Sequence, residues 1–363
     1  MLKQQKIFFD FLRFSIGSAK EIPGSLKEVD WKKLYAIAQK QALLGVLFYG
    51  IQRLPKELAP EQKLLMQWMV MAEMIRKQNI RLFLDSVKVC KNFENEGFAN
   101  CILKGQGNAL LYPDPYMRTP GDIDIYLTGG RKRVMQYINK VCPNQVMRYH
   151  HVDFPVMKTA IEVHFTPSYM FFPIHNSRMQ KWFKEVMGEQ CNHRVSWPDG
   201  YGEIYVPQVS FNVIYILSHL YRHIFTEGIG LRQLLDYYYV LISDDLLLIR
   251  DRVQKELKPL GLWKFAQAVM FVMKEVFGLS EDRMIAPMDE KEGSFLLDEI
   301  MRGGNFGQYD DRMGSKVGES KIHRYFRMNL RNLRFVKHYP AEALSEPLFR
   351  TWFAVWKKIH GIR

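Results

Sequence analysis

The chain has 363 residues, a length that suits two or three structural units. A hydrophobic content of 47% argues against a disordered polymer, and a formal charge of +13 favours either a polyanionic ligand or simply a basic, solvated surface. Cys90, Cys101, Cys142 and Cys191 are widely and irregularly spaced with no CxxC pair, which argues against a zinc ribbon or disulfide framework and for reduced thiols in a cytoplasmic protein.

Residues 1–13 do not read as a signal peptide. Asp10 and Arg13 interrupt the apolar stretch, and Phe8, Phe11 and Leu12 fit one face of an amphipathic helix. No uninterrupted apolar run reaches the roughly 18 residues of a bilayer span. Residues 1–95 read as a helical region, with Trp31, Leu34, Ile37 and Ala38 at helical spacing and a long helical pattern over 62–94. Met66, Met69, Met71 and Met74 are read as packing material. The character changes at Gly97. Residues 98–103 form a strand-length apolar run, 108–112 a short helix, and Pro113, Pro115 and Pro120 mark an irregular loop. Strands are expected over 123–127, 146–151 and 159–165, with a helix over 131–141 between the first two. Residues 96–206 are thus an α/β core. From Pro207 the helical period returns and runs through 207–363, broken by a Gly- and Asp-rich loop over 303–318, with the last helix starting near Pro347. The fold class is α+β: a small mixed sheet flanked by N-terminal and C-terminal helical regions, the first packing on the core.

Asp122 and Asp124 alternate with Ile123, Ile125 and Leu127. On a strand both carboxylates share one face and the apolar residues the other. Like charges so close repel unless a cation neutralises them, and hard oxygen ligands suit Mg²⁺ or Mn²⁺. Glu162, flanked by Ile161 and Val163 on a later strand, supplies a third carboxylate if the two strands are neighbours. Such a trio suits phosphoryl or nucleotidyl transfer with two ions. Upstream, the turn Leu103-Lys104-Gly105-Gln106-Gly107-Asn108 can present backbone amides to phosphate. Lys104 and Arg118 add positive charge beside it, with Gly121 next to the first aspartate. The tripeptide alone would more often be a solvated strand end; the ordered set is what points to a site.

That order resembles the nucleotidyltransferase superfamily that includes DNA polymerase beta, kanamycin nucleotidyltransferase and the CCA-adding enzymes. More narrowly, Lys104-Gly105, Tyr112-Pro113, Arg118 to Asp124 and Glu162 to Phe165 resemble a bacterial family of uncharacterised nucleotidyltransferase-like proteins, over roughly residues 95–240. The resemblance implies Asp122, Asp124 and Glu162 as metal ligands, the turn at Gly105 as a triphosphate contact, and an NTP as substrate with protein, RNA or a small molecule as acceptor. One position departs from the pattern. The usual Gly-Ser or Gly-Gly pair is Gly105-Gln106 here, so the serine hydroxyl is absent. Two readings follow: a metal-dependent transferase, or a nucleotide- or RNA-binding protein on a degenerate transferase fold.

Accessory signals are weaker. His164 shares the face of Glu162, either near the metal or fixing Glu162 by a hydrogen bond. Alternation sends at least one of His150 and His151 away from the site. His219, Arg222 and His223 lie on one helix, and in the resembled family such a helix followed by a "GLRxLLD" motif accompanies the catalytic part. Arg232 and Asp236, four apart, suit an ion pair. Lys321, Arg324, Arg327, Arg331, Arg334 and Lys337 put one cationic face on a helix, solvated or facing RNA. The last helix, with Trp352 and Trp356, suits a packing stripe better than a membrane surface.

Overall fold

A computed structural model describes residues 3–313 and 319–362. Helix α1 (Lys3–Ile16) buries Phe8, Phe11 and Leu12, and α2 (Trp31–Lys40) starts at Asp30, whose carboxylate accepts from the Lys33 amide. Next come α3 (Leu44–Ile51) and the long α4 (Gln62–Asn95). Gly45 lets α3 approach the loop before the sheet: a Cβ there would sit 2.3 Å from the Met117 carbonyl oxygen. The core follows as β1 (Asn100–Ile102), α5 (Gln106–Ala109), β2 (Ile123–Leu127), α6 (Gly130–Val141), β3 (His151–Asp153) and β4 (Ile161–His164). Then come α7 (Pro173–Gln190) and a hairpin of β5 (Arg194–Ser196) and β6 (Glu203–Tyr205). The remaining helices are α8 (Val209–Thr226), α9 (Leu231–Leu241), α10 (Asp245–Leu257), α11 (Trp263–Val272), α12 (Glu290–Gly303), α13 (Lys321–Val336) and α14 (Pro340–Ile359).

The main sheet runs β1-β2-β4-β3. Its central pair, β2 and β4, is parallel, and both outer pairs are antiparallel. Alternation divides its faces. Ile123, Ile125, Leu127, Ile161 and Val163 point into an apolar layer against Phe83, Val87 and Phe93 of α4 and Val134 and Ile138 of α6. The opposite face carries the carboxylates and lies under α8. A second, larger core joins α1–α3 to α8–α12, so helices from both ends of the chain share one interior.

The strand expected over 146–151 is instead His151–Asp153, with Met147 reaching back to Val152 through an isolated bridge. The long helix α7 and the β5–β6 hairpin carry too weak a periodic signal to be anticipated. Helix α14 starts at Pro340, not near Pro347; Pro347 sits inside it, with no N–H for the Ala343 carbonyl. The expected loop over 303–313 contains short turns, and 314–318 lie outside the described residues.

The cationic face expected on α13 is largely consumed within the protein. Arg327 pairs with Glu319 at 2.6 Å, Arg334 with Asp310 at 3.2 Å, and Arg331 is buried; Arg324 and Lys337 stay exposed, and the Lys321 side chain is outside the described set. Helix α14 packs through Phe349 and Phe353 against Tyr149, with Arg131 over the Trp356 ring. Its other stripe, Leu344, Leu348, Trp352, Val355 and Ile359, is exposed, so only half of the expected packing face is covered. Among the described residues no helix is long and apolar enough to cross a membrane.

Candidate active site

The parallel register of β2 and β4 sets Asp124 beside Glu162. Both strands keep their apolar residues in the layer below, so both carboxylates rise from the same face. Asp122 immediately precedes β2 and is exposed to solvent, close enough to feel the charges of Asp124, Glu162 and Lys104. Lys104 arrives from the end of β1. Gly105 follows it with φ +57, the left-handed side of backbone space that favours glycine, and turns the chain into the four-residue α5. That turn aims the Lys104 ammonium at the sheet face. Its Nζ lies 3.0 Å from Asp124 Oδ2 and 3.2 Å from His219 Nε2 on α8. On the other side, His164 Nε2 lies 3.0 Å from Asp124 Oδ1 and 3.6 Å from Glu162 Oε2. His151 Nδ1 lies 3.3 Å from the same Glu162 oxygen.

The electrostatics follow from this packing. Burial pushes the Asp124 carboxyl up, but the Lys104 ammonium and the His164 hydrogen bond outweigh it and hold Asp124 well below the usual carboxylate range. Burial would lower His164; hydrogen bonds to Asp124 and Glu162 raise it instead. Glu162 is lowered because its hydrogen bond with His164 overcomes burial. The Asp124 charge, and then burial, push Asp122 up to about 6. Burial depresses the other histidines: His150 and His219 fall well below the usual value, His151 to about 3 and His223 to about 4. Without a metal, Asp124 is therefore neutralised by Lys104 and His164.

Several residues stand elsewhere than their spacing suggests. Arg118, assigned to phosphate, is buried, and its Nε and Nη2 donate to the two oxygens of Asp236 at 2.8 Å each. Tyr112 adds an O–H bond to Asp236 at 2.7 Å. Arg118, across 118 residues, is thus the partner of Asp236; Arg232, the expected one, donates to the Thr119 carbonyl. Gln106, assigned to nucleotide, is buried and turned away, donating to Asn79 on α4. Gly121 is exposed beside the Arg232 guanidinium. Both His150 and His151 join His164, although alternation would turn one away, because β3 begins only at His151 and His150 precedes it in non-strand geometry. Arg222 Nη2 lies between His219 and His223, at 3.4 Å and 3.0 Å, with its guanidinium over Tyr169. Asn79 was legible only as a polar residue on the buried side of a long helix. It donates to the carbonyls of Tyr116 and Arg118 and so fixes the loop leading to Asp122.

Residues 27–278 match the family described as Uncharacterised nucleotidyltransferase. The chain belongs to that family. The matched span takes in every residue of the site and stops before α12, leaving α12–α14 outside. No curated protein and no solved structure matches. Membership places the chain among nucleotidyltransferase enzymes, and its donor set can hold a divalent metal: ligand atoms of Asp124, Glu162 and His164 lie within 4.8 Å of one another, with Asp122 at their solvent side.

A pH dependence follows for this nucleotidyltransferase. The folded Asp122 titrates near 6, above its ordinary value. Relative to the unfolded chain, its contribution to stability is present below about pH 4 and is lost as pH rises through about 6. Exposure keeps the effect small. A cation on the ionised pair restores the loss, so the rise in Tm caused by Mg²⁺ or Mn²⁺ is larger at pH 7.5 than at pH 5. An equal or smaller rise at pH 7.5 would show that the cation binds elsewhere.

Proposed function

We propose that the protein is a metal-dependent nucleotidyltransferase that moves a nucleoside monophosphate from an NTP to a hydroxyl-bearing acceptor, in the cytoplasm. The observation that supports this best is the register pairing of Asp124 with Glu162, with Asp122 beside them and Lys104 already on the same carboxylate. Asp122, Asp124 and Glu162 would hold Mg²⁺ or Mn²⁺, two ions when NTP is present. Bound there, the metal supplies charge neutralisation of the phosphates and a lowered pKa for the attacking hydroxyl.

The chain's own groups have separate tasks. Lys104 leaves Asp124 when a triphosphate arrives and pairs with its negative charge, while the amides of the Gly105 turn face the phosphate chain. His164 Nε2 and His151 Nδ1 lie 3.6 Å and 3.3 Å from Glu162 Oε2, and their packing fixes its orientation towards the acceptor. The acceptor oxygen forms a bond to the α-phosphorus as the bond from that phosphorus to the bridging oxygen breaks. Pyrophosphate leaves, and the hydroxyl proton passes by way of Glu162 to solvent. His219 braces Lys104 from α8, with Arg222 and His223 next to it.

A second reading, nucleotide binding without turnover, rests on Gln106. It stands where relatives of this superfamily carry serine, and its side chain is committed to Asn79. Incubation with each labelled NTP and Mn²⁺, followed by mass spectrometry of the products including the protein itself, separates the two. Transfer predicts release of pyrophosphate and a product heavier by one nucleoside monophosphate. Binding without any pyrophosphate favours the second reading.

A further inference from the structure

Helices α13 and α14 each carry a row of large apolar side chains that face solvent, and nothing in the transferase reading uses them. On α13 the row is Phe326, Leu330 and Leu333; on α14 it runs from Leu344 through Leu348 and Trp352 to Ile359. Steps of three and four residues keep each row on one side of its helix. That side is opposite the one buried in the protein, which carries Arg331 and Phe335 on α13 and Glu342, Ala343 and Glu346 on α14. The two helices are fastened side by side: Asn332 Nδ2 donates to Glu346 Oε2 at 2.8 Å, and the Tyr325 and Thr351 hydroxyls lie 3.1 Å apart. The rows therefore look outward together. Leu348 and Ile359 are 73% and 75% exposed. A single exposed leucine is ordinary, whereas neighbouring rows of them mark a surface that meets a partner.

The charges select that partner. Residues 319–362 contain three acids, Glu319, Glu342 and Glu346, and each is engaged within the protein. Glu319 pairs with Arg327 at 2.6 Å, Glu342 accepts from the Phe171 amide at 2.6 Å, and Glu346 accepts from Asn332. Among the described side chains of 319–362, the exposed ionic groups are Arg324, Lys337 and Lys358, all positive. Lys337 continues the α13 row four residues after Leu333, and Lys358 adjoins Ile359. A second copy would meet this surface with the same positive groups and no acid to pair them, which opposes self-association. Aliphatic side chains give bases no stacking platform, which disfavours nucleic acid. Anionic lipid answers both features, because its outer layer takes up the apolar rows and its headgroups pair with the lysines.

We propose that the outer surface of α13 and α14 docks the protein on an anionic lipid bilayer, lying in the interface rather than crossing it. The surface is outside the span matched by the family, 27–278. It still adjoins the active site, because Phe349 and Phe353 on the inner side of α14 pack on Tyr149, next to His150. Docking does not depend on nucleotidyl transfer.

The test floats the full chain with vesicles of phosphatidylcholine, with and without phosphatidylglycerol, and without NTP. Binding is expected with phosphatidylglycerol, weaker on phosphatidylcholine alone, and reduced by salt. Leu330→Asp combined with Leu348→Asp lowers the affinity by about 10-fold or more. Lys337→Glu combined with Lys358→Glu removes the preference for phosphatidylglycerol and leaves the weaker binding. All four positions are exposed, so circular dichroism of the variants matches the wild type. Hydrogen exchange of the wild-type protein gives an independent reading, in which the anionic vesicles slow exchange in α13 and α14. No binding, equal binding to the two kinds of vesicle, variants that bind like the wild type, or slowed exchange confined to other elements overturns the proposal. A dimer that Leu348→Asp dissociates, with no vesicle binding, overturns it in favour of a second copy on this surface. None of these readouts uses an NTP, so the docking surface stands or falls apart from the transferase reading.

Discussion

Asp122→Asn lowers nucleotidyl transfer by about 10³-fold, roughly 4 kcal/mol of barrier, while the protein folds as before. Asn keeps the shape of Asp and removes only the charge. In the metal-free protein that charge faces Asp124 and Glu162, both of which disfavour it. Its loss therefore costs the fold nothing and relieves some repulsion, and the metal-free Tm at pH 7.5 stays level or rises. With cation and NTP present the balance reverses, because a neutral amide is a poor ligand for Mg²⁺. The variant accordingly loses the thermal shift that Mn²⁺ gives the wild type. Pyrophosphate release and circular dichroism on the same preparations check both halves. Turnover at the wild-type rate would remove Asp122 from the site.

Asp236→Ala is the corresponding test of structure, with an expected loss of about 3–5 kcal/mol in unfolding free energy. The Asp236 carboxylate is buried and accepts from Arg118 Nε, Arg118 Nη2 and the Tyr112 hydroxyl. Removing it strands a buried guanidinium whose charge Asp236 does most to offset. Arg118 also ends the loop that delivers Asp122, and its carbonyl is pinned by Asn79 at 2.8 Å. Transfer activity therefore falls together with stability. Urea denaturation measures the first effect; a loss under about 1 kcal/mol would mean that the pair is replaceable by ordinary packing.

The carboxylate pattern was legible because alternation on a strand is local: Asp124 and Glu162 are each set on the polar side of their own strand by their immediate neighbours, whereas the pairing that brings them together is not local. The helical character of 62–94 and of the chain after Pro207 was legible for the same reason. What escaped depends on partners distant in the chain. Arg118 looks like a phosphate ligand until Asp236 is beside it, and Gln106 looks like part of a phosphate turn until Asn79 takes its amide. His150 and His151 defied alternation because the strand begins between them, and only the pairing of β3 with β4 fixes that boundary. Pro347 suited a first-turn position, but the helix starts at Pro340, where Glu342, Ala343 and Glu346 are already buried before Pro347 is reached. The basic repeat on α13 failed as a free cationic face because Glu319, Asp310 and Glu299 lie outside its own helical pattern.

In the proposed function Asp122, Asp124 and Glu162 hold a divalent cation in place of the Lys104 contact. Crystals grown with Mn²⁺ and a non-hydrolysable NTP, measured at the manganese absorption edge, address it directly. The expected result is an anomalous peak bounded by these three carboxylates, with Lys104 Nζ moved from Asp124 Oδ2 to a phosphate oxygen. Lys104 still on Asp124 with nucleotide bound, and no manganese between the carboxylates, would contradict it.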